Sequence, residues 1–364
     1  MTGPRIAYVI NSVEGGGAAM PVPHLAKVLR DAGAEVAIFA LARRNGRAIA
    51  AMEASGLSVA VRDGGERDHV AALRWLDRTV SAYRPSHIWT SLTRATLLGQ
   101  LVGRRRCLPV VSWQHAAYLK PANLRLLRAL RSLASLWVAD SPSVAEITAR
   151  RLELPPDRLM TWPLFAADPD SPRATPWQAG EPLRIGSLGR LHPVKGYDVL
   201  IAALARLRAQ GFAPPVPFAI TIAGDGAERD RLEAVAREAG VADQVRLAGF
   251  VGRPREFLAG LHLYLQPSRS EGLCIAAHEA MQAGLASIVS AVGELPCSIE
   301  HGLSGLVVPP ADPEVLASDL ATLIADPSRL AAMGAAARQR VLERFSREAF
   351  IANGRAVLAR LTAA

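Results

Sequence analysis

The apolar residues of this chain arrive in short blocks, and helical stretches separate the blocks. "RIAYVI" (5–10) opens the series, and "EVAIFAL", "SVAV", "HIWT", "PVVSW" and "LWVAD" follow it. A second run then begins with "RIGSLG" and continues through "FAITIAG", "VRLAGF", "LYLQPS", "ASIVSA" and "GLVVPP". Continuous apolar blocks of this length read as strands buried on both faces. Alternated with helices, they predict a parallel, doubly wound sheet. The alternation fails once, over residues 163–183, where "PLFAADPDSPRATPWQAGEPL" carries five prolines and reads as a linker. With 364 residues the chain is long for one ordinary core, so the break is taken as a domain boundary. The reading is two αβ domains, 1–170 and 171–345, and a last helix over roughly 346–362. In such sheets ligands bind at the carboxyl ends of the strands, here facing a central cleft.

Composition narrows the class. Half the residues are hydrophobic and 21% are charged, as in a folded globular protein. The longest apolar blocks run to about nine residues, well short of the ~20 that a spanning helix needs. The amino terminus lacks the marks of a signal peptide, and the three cysteines, Cys107, Cys274 and Cys297, are scattered. The expected setting is therefore a reducing cytoplasm, with no structural zinc. Residues 1–170 hold 22 basic against 14 acidic side chains, so +8 of the net +9 belongs to the first half. That surplus suits nucleic acid, an anionic membrane face or an anionic substrate. Only Lys27, Lys120 and Lys195 among the 42 basic residues are lysines, which makes each a candidate for a chosen chemistry.

Three loops after strands carry the chemistry. "NSVEGGGAAM" (11–20) places Gly15, Gly16 and Gly17 where a tight turn or a close ligand would need them. It is neither GxGxxG nor a P-loop. "GSLGRLHPVKGYDVL" (186–200) places Arg190 and Lys195 at a sheet mouth, a pair able to neutralise a diphosphate. "SRSEGLCIAAHEAMQAG" (268–284) places Glu271 before a helix and Glu279 within it. The free N–H groups of that helix start suit a phosphate. The eight-residue gap then fits two ends of one ligand better than one shared target.

Other signals are weaker. His115, after "VVSWQ", lies on the rim facing the expected cleft. "DPD" (168–170) matches a metal-binding DxD string but sits in the linker, and it is read as chance. The remaining histidines show no metal-ligand spacing, and neither a GxSxG elbow nor a nucleophilic triad is visible.

In this order, on two αβ domains, the loops resemble the retaining glycosyltransferases of family 4, whose fold is GT-B. The resemblance covers nearly the whole chain. Its most specific parts are "GRLHPVKG" (189–196), "AGDGAERDRLE" (223–233) and "EGLCIAAHEAMQAG" (271–284), the last matching the E-x7-E element. It implies a last helix crossing back to the first domain. It implies that Arg190 and Lys195 bind the leaving diphosphate, Glu271 the donor sugar and Glu279 the ribose. Backbone at Gly272, Leu273 and Cys274 would approach sugar and phosphates, with Phe250 and Val251 beside the base. Gly15, Gly16 and Gly17 would approach diphosphate and acceptor, and His115 the donor sugar. The implied reaction is metal-independent, retaining transfer from a UDP- or GDP-sugar to a glycan or lipid-linked acceptor in cell-envelope synthesis, with no cofactor. Three positions depart from the family pattern. Cys274 stands where Gly or Pro is usual, Cys297 where Glu is frequent, and "TWPLFAAD" lacks an Asn-Gly.

Two other readings stand beside this one. A nucleotide-sugar epimerase of the same fold is disfavoured by the E-x7-E element. A non-catalytic nucleic-acid binder is disfavoured because aromatics are only 5% and no binding module appears. The basic surplus has a further use. "YLKPANLRLLRALRSLASLW" (118–137) reads as a basic amphipathic helix able to rest on an anionic membrane face, on the cytoplasmic side of the inner membrane.

Overall fold

The computed structural model describes residues 3–115 and 119–362. Contacts divide the chain into two units, residues 1–165 with 348–364 and residues 166–347. Proline alone puts the end of the first sheet too late. Phe165 still belongs to the N-terminal unit, while the proline-rich stretch runs over the C-terminal one.

The N-terminal unit is a seven-stranded parallel sheet in the order β3-β2-β1-β4-β5-β6-β7. Its strands are β1 (Arg5–Ile10), β2 (Glu35–Ala40), β3 (Ser58–Val61), β4 (His87–Ser91), β5 (Val110–Gln114), β6 (Leu136–Ala139) and β7 (Leu159–Thr161). The C-terminal unit is a six-stranded parallel sheet in the order β10-β9-β8-β11-β12-β13. Its strands are β8 (Leu183–Leu188), β9 (Phe218–Ala223), β10 (Val245–Gly249), β11 (Leu263–Gln266), β12 (Ala286–Ser290) and β13 (Gly305–Val308). All twelve blocks named from the sequence are strands. The thirteenth, β7, is three half-buried residues, too short to show a period.

In each unit the chain starts in mid-sheet, walks outward over two strands, then returns to build the other side. The direction reverses between β1 and β4 and again between β8 and β11. At such a switch point the loops leaving two neighbouring strands diverge and open a crevice at their carboxyl ends. The Gly-rich loop leaves β1. The Lys195 loop leaves β8, and the Glu271 loop leaves β11. These three loops therefore lie at the two switch points, while His115 follows β5 and Phe250 and Val251 follow β10.

Four tryptophans, Trp89, Trp113, Trp137 and Trp162, are fully buried in the N-terminal unit. Trp113 stacks on Trp162 with centroids 5.0 Å apart, and Phe350 of the last helix lies 5.6 Å from Trp162. That helix, Arg347–Thr362, buries Phe350, Val357, Leu358 and Leu361 here. It comes close through Gly354, where a Cβ would meet Trp162 at 2.5 Å and Val28 at 2.6 Å.

Candidate active site

The two loops at the C-terminal switch point are fastened to each other. The Arg269 N–H donates to the Val194 carbonyl at 2.8 Å. Its guanidinium donates to Pro193 O and, through both Nη atoms, to Asp198 at 2.7 and 2.8 Å. Gly196, at φ +67°, lies so close to the second loop that a Cβ would stand 2.0 Å from Pro267 O. Only glycine tolerates both the angle and the approach. Gly293, at φ +58°, plays the same part after β12, where a Cβ would meet Gly272 O at 2.3 Å and Glu271 O at 2.6 Å.

This bracing brings Lys195 and Glu271 together across 76 residues, with Nζ 2.7 Å from Oε1. The lysine side chain is 17% exposed and the glutamate 9%. Ser268 Oγ and Gln266 Nε2 also donate to Glu271 Oε1, at 2.6 and 3.2 Å. Burial by itself would lower the Lys195 pKa. That influence is the largest single one, but the charge and hydrogen bond of Glu271, with Cys274 and Tyr197, together outweigh it and hold the ammonium above a free lysine's pKa. The result is a fixed, partly buried cation at the sheet mouth, held by an anion with its own donors. Arg190 lies exposed on the same loop.

After Glu271 the chain runs through buried Gly272, Leu273 and Cys274 into the helix Ile275–Gln282. Gly284, at φ +82°, stands just past its end. Glu279 is half-buried within it. Burial raises its pKa, and the charge of Arg255 works against that rise. Phe250 is 50% exposed beyond β10, and Val251 is half-buried beside it.

Cys274 has φ +63°. Glycine adopts that region freely, while an L-side chain there is strained by roughly 1–2 kcal/mol. Proline, fixed near φ −65°, cannot adopt it at all. The thiol is buried beside Glu271. Burial first, and the carboxylate second, raise its pKa well above an ordinary cysteine's. Cys107 and Cys297 are exposed. A native-state titration with a disulfide reagent should therefore modify two thiols quickly and the third only in denaturant. Three fast thiols would contradict the burial of Cys274.

Two residues supporting this loop had no motif to mark them. Glu294 is fully buried, paired with Arg344 at 2.7 Å, and its N–H donates to Gly272 O at 2.9 Å. His278 lies under the helix start, its Nδ1 3.0 Å from Cys274 O and its Nε2 2.8 Å from Ser298 Oγ. Burial lowers its pKa to about 4, so it is neutral and donates Nδ1–H to that carbonyl. The only sequence signal for Glu294 is a Gly-Glu pair directly after an apolar strand. In the linker, Asp168 pairs with Arg255 at 2.7 Å and takes the Asp170 N–H at 3.1 Å, so its carboxylate serves the turn.

In the N-terminal unit the Gly15 N–H donates to Asn45 Oδ1 at 3.0 Å, and the Arg47 side chain covers it. Gly16 has no positive φ, and no atom would lie within 4 Å of an added Cβ. Nothing in the protein itself requires glycine there. The helix begins at Val22, after a turn over 17–21.

His115 is not alone. Ser91 Oγ lies 2.7 Å from its Nε2, and Asp140 Oδ1 lies 2.8 Å from its Nδ1. No nucleophilic triad is visible in the sequence, and these three residues form a hydrogen-bonded chain whose serine is fully buried. Its members close three successive strands, 24 and 25 residues apart, and leave no local signature.

The basic segment 118–137 begins at Tyr118, which lies outside the described residues. In its helix, Pro121–Leu130, Leu127 is buried in a small cluster with Trp137 and Leu152. Arg128 donates to Arg151 O, and Arg128 and Arg131 pair with Glu153 at 3.3 and 3.6 Å. Lys120 and Arg125 are exposed, and the Arg128 and Arg131 side chains remain 43% and 40% exposed, so the segment keeps a basic face. Among the described residues no helix is long and apolar enough to cross a membrane.

Two parallel-sheet units, each with loops gathered at a switch point, are the architecture of the GT-B fold, and the comparisons supply the class. Residues 15–166 match the model for Glycosyltransferase Family 4, and residues 173–340 match that for Glycosyl transferases group 1. A D-inositol 3-phosphate glycosyltransferase of Thermobispora bispora is 30% identical over 71% of this chain and 68% of its own. A GDP-mannose-dependent alpha-(1-6)-phosphatidylinositol monomannoside mannosyltransferase of Mycolicibacterium smegmatis is 34% identical over 49% of each chain. Among solved structures, Anabaena HepE in complex with UDP-glucose superposes with a TM-score of 0.83 at 21% identity over 99% of each chain. Sucrose-phosphate synthase from Thermosynechococcus elongatus gives 0.79, also at 21% identity and over 99% of each. The chain belongs to glycosyltransferase family 4.

Proposed function

We propose that this enzyme moves a sugar from a UDP- or GDP-sugar to an acceptor hydroxyl, retaining the anomeric configuration without a metal. The acceptor would be a glycan or lipid-linked molecule of cell-envelope polysaccharide, lipopolysaccharide or glycolipid synthesis. The observation that carries the reading is the Lys195–Glu271 pair at the C-terminal switch point, directly before the start of the helix Ile275–Gln282. As the glycosidic bond breaks, negative charge grows on the leaving diphosphate. Lys195, Arg190 and the helix N-terminus would stabilise charge where it develops, so no metal is demanded. Glu271 would take sugar hydroxyls on its carboxylate, and Glu279 the ribose. A phosphate oxygen can accept the acceptor's proton on the face the leaving group vacates, which retains configuration without a protein base. The glutamates would not act as a glycosidase-type acid and nucleophile.

The relatives support the donor class. One is by name GDP-mannose-dependent, and one neighbour was solved with UDP-glucose. The test is a panel of UDP- and GDP-sugars, screened for thermal stabilisation in chelator and then for turnover with the product anomer read by NMR. One nucleotide series should stabilise the protein, chelator should leave turnover unchanged, and the product should keep the donor's configuration. An inverted product, or activity abolished by chelator, would refute the mechanism.

A further inference from the structure

Ser91 is the last residue of β4, His115 directly follows β5, and Asp140 directly follows β6. The register pairs Ser91 with Trp113 and Gln114 with Ala139, so all three lie together at the carboxyl edge of the N-terminal sheet. Ser91 is fully buried, Asp140 is 2% exposed, and the His115 side chain is 6% exposed. Asp140 reaches His115 Nδ1 with both oxygens, at 2.8 and 3.0 Å, and its Oδ1 takes the Trp113 Nε1–H at 2.6 Å.

The donor inventory assigns the protons. Indole nitrogen only donates, and an ionised carboxylate only accepts. The His115 proton therefore sits on Nδ1, facing Asp140, and the Ser91 hydroxyl donates to the bare Nε2. The constellation has the order of a nucleophilic triad. Its serine, however, is sealed in the core, so no electrophile can reach Ser91 Oγ.

We propose that Asp140 is a positioning residue that fixes His115 as its Nδ1–H tautomer, with the Ser91 hydroxyl donating to Nε2. Held at both nitrogens, the imidazole keeps one orientation at the carboxyl edge of the sheet, where the donor sugar is expected. The proposal rests on the transferase reading in taking a sugar as the ligand of His115. The tautomer itself does not depend on that reading.

The experiment is NMR of the full-length protein labelled with 15N-histidine, in wild type, Asp140→Asn and Ser91→Ala, with steady-state kinetics alongside. Wild type should show His115 protonated at Nδ1 and bare at Nε2. Ser91→Ala should shift the Nε2 resonance without moving the proton. In Asp140→Asn the amide oxygen stays on Trp113 and its NH2 faces Nδ1, so the proton moves to Nε2. Turnover should then fall about 10²-fold with little change in donor KM, and the melting temperature should hold within a few degrees. A wild-type ring protonated at Nε2 overturns the proposal. So does an Asp140→Asn variant that keeps both tautomer and turnover. If that variant does not fold, the wild-type spectrum still decides. Absence of transfer by the wild type would sink the function reading and leave the tautomer assignment standing.

Discussion

Replacing Lys195 with alanine is expected to lower kcat/KM about 10³-fold, the size seen when one fixed electrostatic group is removed from an active site. Lys195 is the only lysine of the C-terminal unit and is held 2.7 Å from Glu271. The change also leaves Glu271 largely buried without its counter-charge. Removing one partner of a buried pair costs about 3–5 kcal/mol. Ser268 and Gln266 still donate to Glu271, so the lower end applies, and the melting temperature should drop by roughly 5–10 °C. The two effects separate by assay at 20 °C, where the variant remains folded by circular dichroism. Undiminished turnover there would remove Lys195 from the mechanism. Lys195→Arg should recover charge but not rate, because a planar fork cannot reproduce a point charge packed against one carboxylate oxygen.

The second large effect is expected at a residue with no side chain. Gly196→Ala places a Cβ 2.0 Å from Pro267 O at φ +67°. The left-handed backbone costs about 1–2 kcal/mol, and the clash forces two loops apart. We expect a total near 3 kcal/mol, within the range of mutations with a named steric cause. Lys195 is the adjacent residue, so the shift also spoils its approach to Glu271, and KM should rise as kcat falls. Gly211 supplies the control. Its φ is +69°, but nothing lies within 4 Å of an added Cβ. Gly211→Ala should cost only the backbone strain and leave turnover alone. If the two variants behave alike, the contact between the loops is not what holds Lys195.

The contrast between these glycines shows what the sequence discloses. Most strands are continuous apolar blocks, so twelve of thirteen were legible, and β7 escaped because three residues are too few to stand out as a block. The loop positions of Lys195 and Glu271 follow from their strands. Their pairing does not, since 76 residues separate them and only the β8-to-β11 reversal joins them. The same limit hid Ser91 and Asp140 from His115, each one strand away in the sheet. It also hid Glu294, which packs against Gly272 from the loop after β12. For the basic helix Pro121–Leu130, the pairing of Arg128 with Glu153 could not be read, because Glu153 lies at the far end of the helix Pro142–Leu152. Cys274 departs from the family habit at a spot where the backbone favours glycine, and its strain is invisible until φ is known.

The central claim is that the crevice between β8 and β11 holds a nucleoside diphosphate against Lys195. Calorimetric titration of UDP and GDP into wild type and Lys195→Ala, both in chelator, tests it most directly. One nucleotide should bind wild type at one site per chain, and the variant should bind it at least tenfold more weakly. If neither nucleotide binds wild type, or the variant binds equally well, the claim is wrong.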